Sequence, residues 1–160
     1  ARAAAGEVLL FLHADVRLPG EAEQLIRQVL QQSGVVAGAF KTWTVADGWS
    51  WEWLSPILHI ADIRSRISRY PYGDQAMFLR REVFDKVGGF PSVPLMEDIA
   101  FSRKVGELGK IGRAPGSVRV SGRRFMERPL FYTLVMNAFP ILYRLGVSPE
   151  RLSRIYRPVR

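Results

Sequence analysis

Five consecutive apolar residues, Val8 to Leu12, run into His13-Ala14-Asp15 before Leu18-Pro19-Gly20 turns the chain. An unbroken apolar run of this length predicts a buried strand, here with a charged tip. From Pro19 to Gln32, Ala22, Leu25, Ile26, Val29 and Leu30 recur at helical spacing, and Ser33-Gly34 supplies the stop, so an amphipathic helix follows. Val35 to Trp43 is then β-branched and aromatic. The opening is therefore β-α-β, which favours a parallel or mixed sheet with helices on its faces.

Between Asp47 and Arg69 the apolar positions, among them Trp49, Trp51, Trp53, Ile57, Ile60, Ile63 and Ile67, keep a mostly helical period that Ser55-Pro56 interrupts. One kinked helix or two short ones fit that pattern. Tyr70-Pro71-Tyr72-Gly73-Asp74 is turn chemistry, Gln75 to Leu79 a short strand, and Arg81 to Val87 a helix ended by Gly88-Gly89-Phe90-Pro91. Met96-Glu97-Asp98 opens a helix with Ile99, Phe101, Val105 and Leu108 on its apolar face and Gly109 at its end. Lys110–Ile111 and Ser117–Ser121 read as two short strands around a Pro115-Gly116 turn. An apolar helix from Pro129 to Leu145, with Pro140 as a kink site, and an amphipathic one from Pro149 to Tyr156 complete the pattern.

Composition narrows the field. The 160 residues suit one ordinary domain, able to bury about two thirds of its unfolded surface. There is no cysteine, which excludes disulfides, thiolate metal sites and cysteine nucleophiles and removes any need for an oxidising compartment. The chain is read as cytoplasmic. The net charge of +8 points to an anionic partner: a nucleotide phosphate, nucleic acid or an acidic membrane surface. Nucleic acid is disfavoured, because no helix-turn-helix or zinc pattern is visible and the aromatic residues do not interleave with Lys and Arg. The apolar stretches fall short of the ~20 residues a membrane-spanning helix needs. Arg144, Arg151, Arg154, Arg157 and Arg160 beside apolar residues admit a peripheral contact at the inner face of a membrane, a solvated helix face being the simpler reading. Ala1 to Gly6 resembles the end of a helix, so the fold is expected to begin upstream of residue 1.

Four groups of residues carry candidate chemistry. Asp15, at a strand tip, can hold a hard divalent cation that shares its oxygen ligands with phosphates; an ordinary loop aspartate is the simpler alternative. His13 can touch a sugar or phosphate, or be hydrogen-bonded without further role. Glu97-Asp98 at a helix start is good capping practice, but the apolar Val93-Pro94-Leu95-Met96 before it is unlike a solvated helix start and favours an oriented base. Asp74 and Gln75 in the Gly73-Asp74-Gln75 turn can bind hydroxyls, or serve the turn conformation alone. Arg123 and Arg124, just after a predicted strand, offer guanidinium forks that match phosphate oxygens, a solvated basic loop being the simpler alternative.

The series Leu-Leu-Phe-Leu-His-Ala-Asp, Gly73-Asp74-Gln75, Glu97-Asp98, Ser121-Gly122-Arg123-Arg124 and Asn137 to Val147 resembles family 2 glycosyltransferases of the GT-A fold. More narrowly, it is similar to the subgroup described as arsenosugar-biosynthesis-type. The resemblance implies an α/β, Rossmann-like mixed sheet flanked by helices, with C-terminal helices and with the first, nucleotide-binding strands lying before residue 1. It implies metal-dependent, inverting transfer of a sugar from a nucleotide-diphosphate donor to an acceptor hydroxyl. Asp15 would then hold Mg²⁺ or Mn²⁺, Asp98 would be the general base supported by Glu97, and Arg123 and Arg124 would meet the diphosphate. Asp74 and Gln75 would line the donor-sugar or acceptor side. His13 stands where the first acid of the Asp-x-Asp motif is usual, and Phe125 where tryptophan is usual. The same fold without turnover, a truncated binding or scaffold domain, is the other expectation.

Overall fold

In the computed structural model, which describes residues 1, 3–45, 55–125 and 129–155, the chain is α/β. Five strands, β1 (Val8–Leu10), β2 (Val16–Arg17), β3 (Val35–Val45), β4 (Phe78–Arg80) and β5 (Lys110–Ser121), form one mixed sheet in the order β1-β4-β3-β5-β2. β3 and β5 are parallel, and the other three pairings are antiparallel. Helices α1 (Ala22–Leu30), α2 (Ser55–Ile67), α3 (Arg81–Val87), α4 (Glu97–Leu108), α5 (Pro129–Arg144) and α6 (Pro149–Ile155) surround it. Residues 46–54, with Trp49, Trp51 and Trp53, lie outside the described residues, as does Tyr156.

The central strand explains the layering. Alternate residues of β3 face opposite ways, so Phe40 joins Ile26, Val29 and Leu30 of α1, while Ala37 joins Val83 of α3 and Phe101 and Val105 of α4. Gly38 is required at the middle: a Cβ there would lie 2.4 Å from the Phe78 ring. Beyond Gly38, β4 no longer pairs with β3, and α2 takes over. The Thr42 N–H donates to Ser65 Oγ at 3.1 Å, and the Thr44 N–H and hydroxyl donate to the Asp62 carboxylate at 2.9 and 2.8 Å. Asp62, buried, also meets His59 Nδ1 at 2.9 Å. Ser65 and Asp62 stand three residues apart on one helix face, so α2 satisfies a strand edge that would otherwise carry bare N–H groups.

Four expectations are corrected here. β1 is shorter than Val8–Leu12 and lies at the sheet edge with one neighbour, so only Leu9 is buried while Val8 and Leu12 are 37% and 46% exposed. The segment read as two strands is the single strand β5. Ala39 pairs with Arg113 and Lys41 with Ser117, so a bulge in β5 absorbs Pro115 and Gly116, where proline has no N–H for the ladder. Leu108, expected on the apolar face of α4, is exposed in its last turn. Gln75 to Leu79 is a 3₁₀ turn at Gly73–Gln75 followed by β4. No helix among the described residues is long and apolar enough to cross a membrane.

Candidate active site

The loop after β1 is pinned at both ends. The Phe11 N–H donates to the Met77 carbonyl at 2.9 Å, the Val16 N–H to the His13 carbonyl at 3.1 Å, and the Ser121 N–H to the Asp15 carbonyl at 2.9 Å. His13 and Asp15 are thereby held beside the turn at Gly73–Gln75 and the start of α4. Those two segments each carry a non-glycine residue in the left-handed region, Ala76 at φ +46° and Met96 at φ +66°. Such conformations cost on the order of 1 kcal/mol or more and tend to gather where geometry matters for function.

Asp98 links the segments. Its Oδ1 accepts the Ile99 N–H at 2.7 Å, and its Oδ2 accepts the Gly73 N–H at 2.6 Å. A carboxylate offers about four lone-pair directions, so both oxygens keep capacity for a ligand hydroxyl. Gly73 leaves room for its neighbours: a Cβ there would lie 2.5 Å from Nε2 at the end of the exposed His13 side chain and 3.3 Å from Asp98 Oδ2. His13, Gly73, Glu97 and Asp98 form a ridge between two cavities. One, about 440 Å³, is walled by Phe11, Leu12, Met77 and Phe90. The other, about 240 Å³, adds Asp15, Arg64, Asp74 and Ser121 on its polar side and Val135, Met136 and Phe139 of α5 on its apolar side.

Asp74 is held by Arg64, whose Nη2 donates to Asp74 Oδ2 at 3.1 Å. The same guanidinium donates to the Met136 carbonyl at 2.5 Å and lies 3.9 Å from the centre of the Tyr72 ring, tying α2, the turn and α5 together. Asp74 Oδ1 is buried with no hydrogen-bond partner among the described residues. Burial lifts the Asp74 carboxyl above its ordinary 3.8; Arg64 opposes this and the neighbouring Asp98 adds to it. A desolvated carboxyl with a specific charge partner in a cleft is a mark of a functional site.

Over an interval above pH 3.8 the folded chain keeps a proton at Asp74 that the unfolded chain has released, so this group makes the fold less stable as pH rises through that interval. The stability of the parent relative to Asp74→Asn is expected to fall as pH rises from 3.8. Thermal denaturation across pH checks this, and a parent that gains on the variant as pH rises contradicts it.

Asp15 and Ser121 also border a third cavity of about 240 Å³, lined by Arg17, Arg119 and Arg123. Arg17 and Arg119 are direct cross-strand partners, and Trp43 of β3 is in register with Arg119, so one row crosses three strands. Like charges set directly opposite each other disfavour the pairing, and an anion between them removes that penalty. Arg17, Arg119 and Arg64 were not singled out by sequence reasoning. Their only local signal is an arginine within a short strand or helix, and the pairing of Arg17 with Arg119 is long-range.

Of the residues expected at a site, His13, Asp15, Asp74, Glu97 and Asp98 share one cavity, and Arg123 lies across Asp15 from them. Gln75 does not belong there. It is 3% exposed, its Oε1 accepts the Tyr72 N–H at 2.9 Å and its Nε2 donates to the Ser65 carbonyl at 3.0 Å, so it braces the turn instead of meeting a ligand. The Arg124 side chain lies outside what the structure describes.

Among the described residues no three histidine, aspartate or glutamate side chains gather to hold a metal ion. A cage of protein ligands is therefore absent from that part of the chain. Mg²⁺ and similar ions can bind through one or two carboxylates while keeping waters and phosphate oxygens as the remaining ligands. Asp15, between a carboxylate-lined and an arginine-lined cavity, can supply that one carboxylate. No protein-family model, characterised protein or solved structure matches the chain.

Proposed function

We propose that this chain is the catalytic and acceptor part of a cytoplasmic, metal-dependent, inverting glycosyltransferase of GT-A type, similar to family 2. One observation carries the reading: Asp15 and Asp98, from opposite halves of the sequence, line the same cavity, and an arginine-lined cavity adjoins it on the far side of Asp15. Inversion needs a base on one face of the anomeric carbon and positive charge around the leaving group on the other.

In this reading the acceptor hydroxyl sits against the Asp98 carboxylate, held in place by the Gly73 and Ile99 N–H groups. Its oxygen forms the new bond to the anomeric carbon as the bond to the diphosphate oxygen breaks, and the hydroxyl proton passes to Asp98. Arg17, Arg119 and Arg123 receive the diphosphate, whose charge grows as it departs. Asp15 would hold Mg²⁺ or Mn²⁺, which when bound supplies further positive charge to the leaving group. Asp74 Oδ1, His13 and Glu97 line the space where sugar and acceptor hydroxyls meet the protein.

The test is transfer from nucleoside-diphosphate sugars in the presence of Mn²⁺, with the product anomer read by NMR. Inversion at the anomeric carbon is expected, and a product of retained configuration would overturn the assignment of Asp98.

A further inference from the structure

The outer faces of α2 and α5 carry apolar side chains that nothing among the described residues covers. On α5, Leu130, Leu134 and Ile141 fall at helical spacing along one side and are all exposed, Leu134 at 69%, and Leu145 in the turn just after the helix is 76% exposed. The opposite side of that helix is different, since Val135 and Phe139 are buried. On α2, Ile63 and Ile67 are exposed opposite the buried Asp62 and Ser65. The two helices pack side by side, and Arg64 of α2 donates to the Met136 carbonyl of α5. Exposed apolar stripes on neighbouring helices mark a surface that meets something.

Charge selects what that is. The one carboxylate on either helix is Asp62, and it is buried against Thr44 and His59. The exposed charges on these two helices are cationic, Arg66 on α2 and Arg144 at the end of α5, and α6 carries Arg151 and Arg154 together with the exposed Glu150. A second copy seated on this face would bring arginine against arginine. An anionic lipid surface takes apolar side chains into its acyl region and guanidinium groups at its headgroups.

We propose that α2 and α5 seat the protein peripherally on an anionic bilayer. The inference stands on these surfaces and not on the chemistry assigned to Asp98. The opposite, inner side of α5 walls the cavity that Asp98 lines.

Flotation of the full 160-residue protein with vesicles of phosphatidylcholine, with and without phosphatidylglycerol, is the test. Flotation with the anionic vesicles, weakened by salt and absent with phosphatidylcholine alone, is expected. The double variant Leu134→Glu, Ile141→Glu should reduce that flotation by about tenfold or more, since binding scales with buried apolar area. Both positions are exposed, so the melting temperature should be unchanged; Leu134→Ser, Ile141→Ser is the second variant if it is not. No flotation with anionic vesicles at low salt, equal flotation of folded variants, or a concentration-dependent dimer that these substitutions dissolve would each overturn the proposal.

Discussion

Asp98→Asn is expected to lower sugar transfer by about 10²–10⁴-fold, the usual worth of a positioned general base, while nucleoside diphosphate binding is retained. The amide cannot take the acceptor proton. It also offers one acceptor oxygen where the carboxylate offers two, so either the Gly73 or the Ile99 N–H loses its partner. That loss costs about 1–3 kcal/mol in a partly buried place, which thermal melting measures separately from the rate. A rate within a few-fold of the parent, with the fold intact, would remove Asp98 from the reaction.

Gly73→Ala is expected to be nearly as damaging through geometry alone. Gly73 is not in the left-handed region, so its backbone tolerates alanine. The obstacle is the added methyl, 2.5 Å from His13 Nε2, 3.1 Å from its Cε1 and 3.3 Å from Asp98 Oδ2. Either the imidazole swings out of the cavity or the turn retreats and stretches the 2.6 Å bond to Asp98. Overpacking in a well-packed core costs about 1–3 kcal/mol of stability; His13 is exposed, so the cost here falls at the low end of that range, while displacing a reacting group by an ångström costs about 10²-fold in rate. Removing the imidazole should relieve the clash, so in His13→Ala the further change Gly73→Ala should cost much less stability than in the parent. Equal costs in both backgrounds, measured as a double-mutant cycle, would show that crowding against His13 is not the cause.

What was legible in the sequence was local. Helix α3 lies at Arg81–Val87 as its pattern predicts, because Gly88 stops it in the left-handed conformation at φ +80°. The start of α4 at Glu97 and the end of α1 near Ser33-Gly34 follow from the same kind of signal. Pairing partners were not legible. An apolar run such as Val8 to Leu12 looks the same at a sheet edge as in its middle, and only the order β1-β4-β3 decides which. Pro115-Gly116 looked like a turn because sequence alone does not show that β3 continues alongside and carries the strand through a bulge.

The site divided in the same way. Acidic residues next to turns and helix starts, Asp15, Asp74 and Asp98, could be picked out by their setting, and they line one cavity. Gln75 carried an identical signal but turned inwards, since Tyr72 and Ser65 needed its amide more than any ligand did. Arg17 and Arg119 became visible as a pair only through the register of β2 against β5.

Asp15 would hold the cation that meets the diphosphate beside Asp98. Calorimetric titration of UDP into the protein, with and without Mn²⁺, and into Asp15→Asn, tests that directly. Binding that requires Mn²⁺ and is lost in Asp15→Asn is the predicted result; UDP binding of equal strength without the metal or without the carboxylate would contradict it.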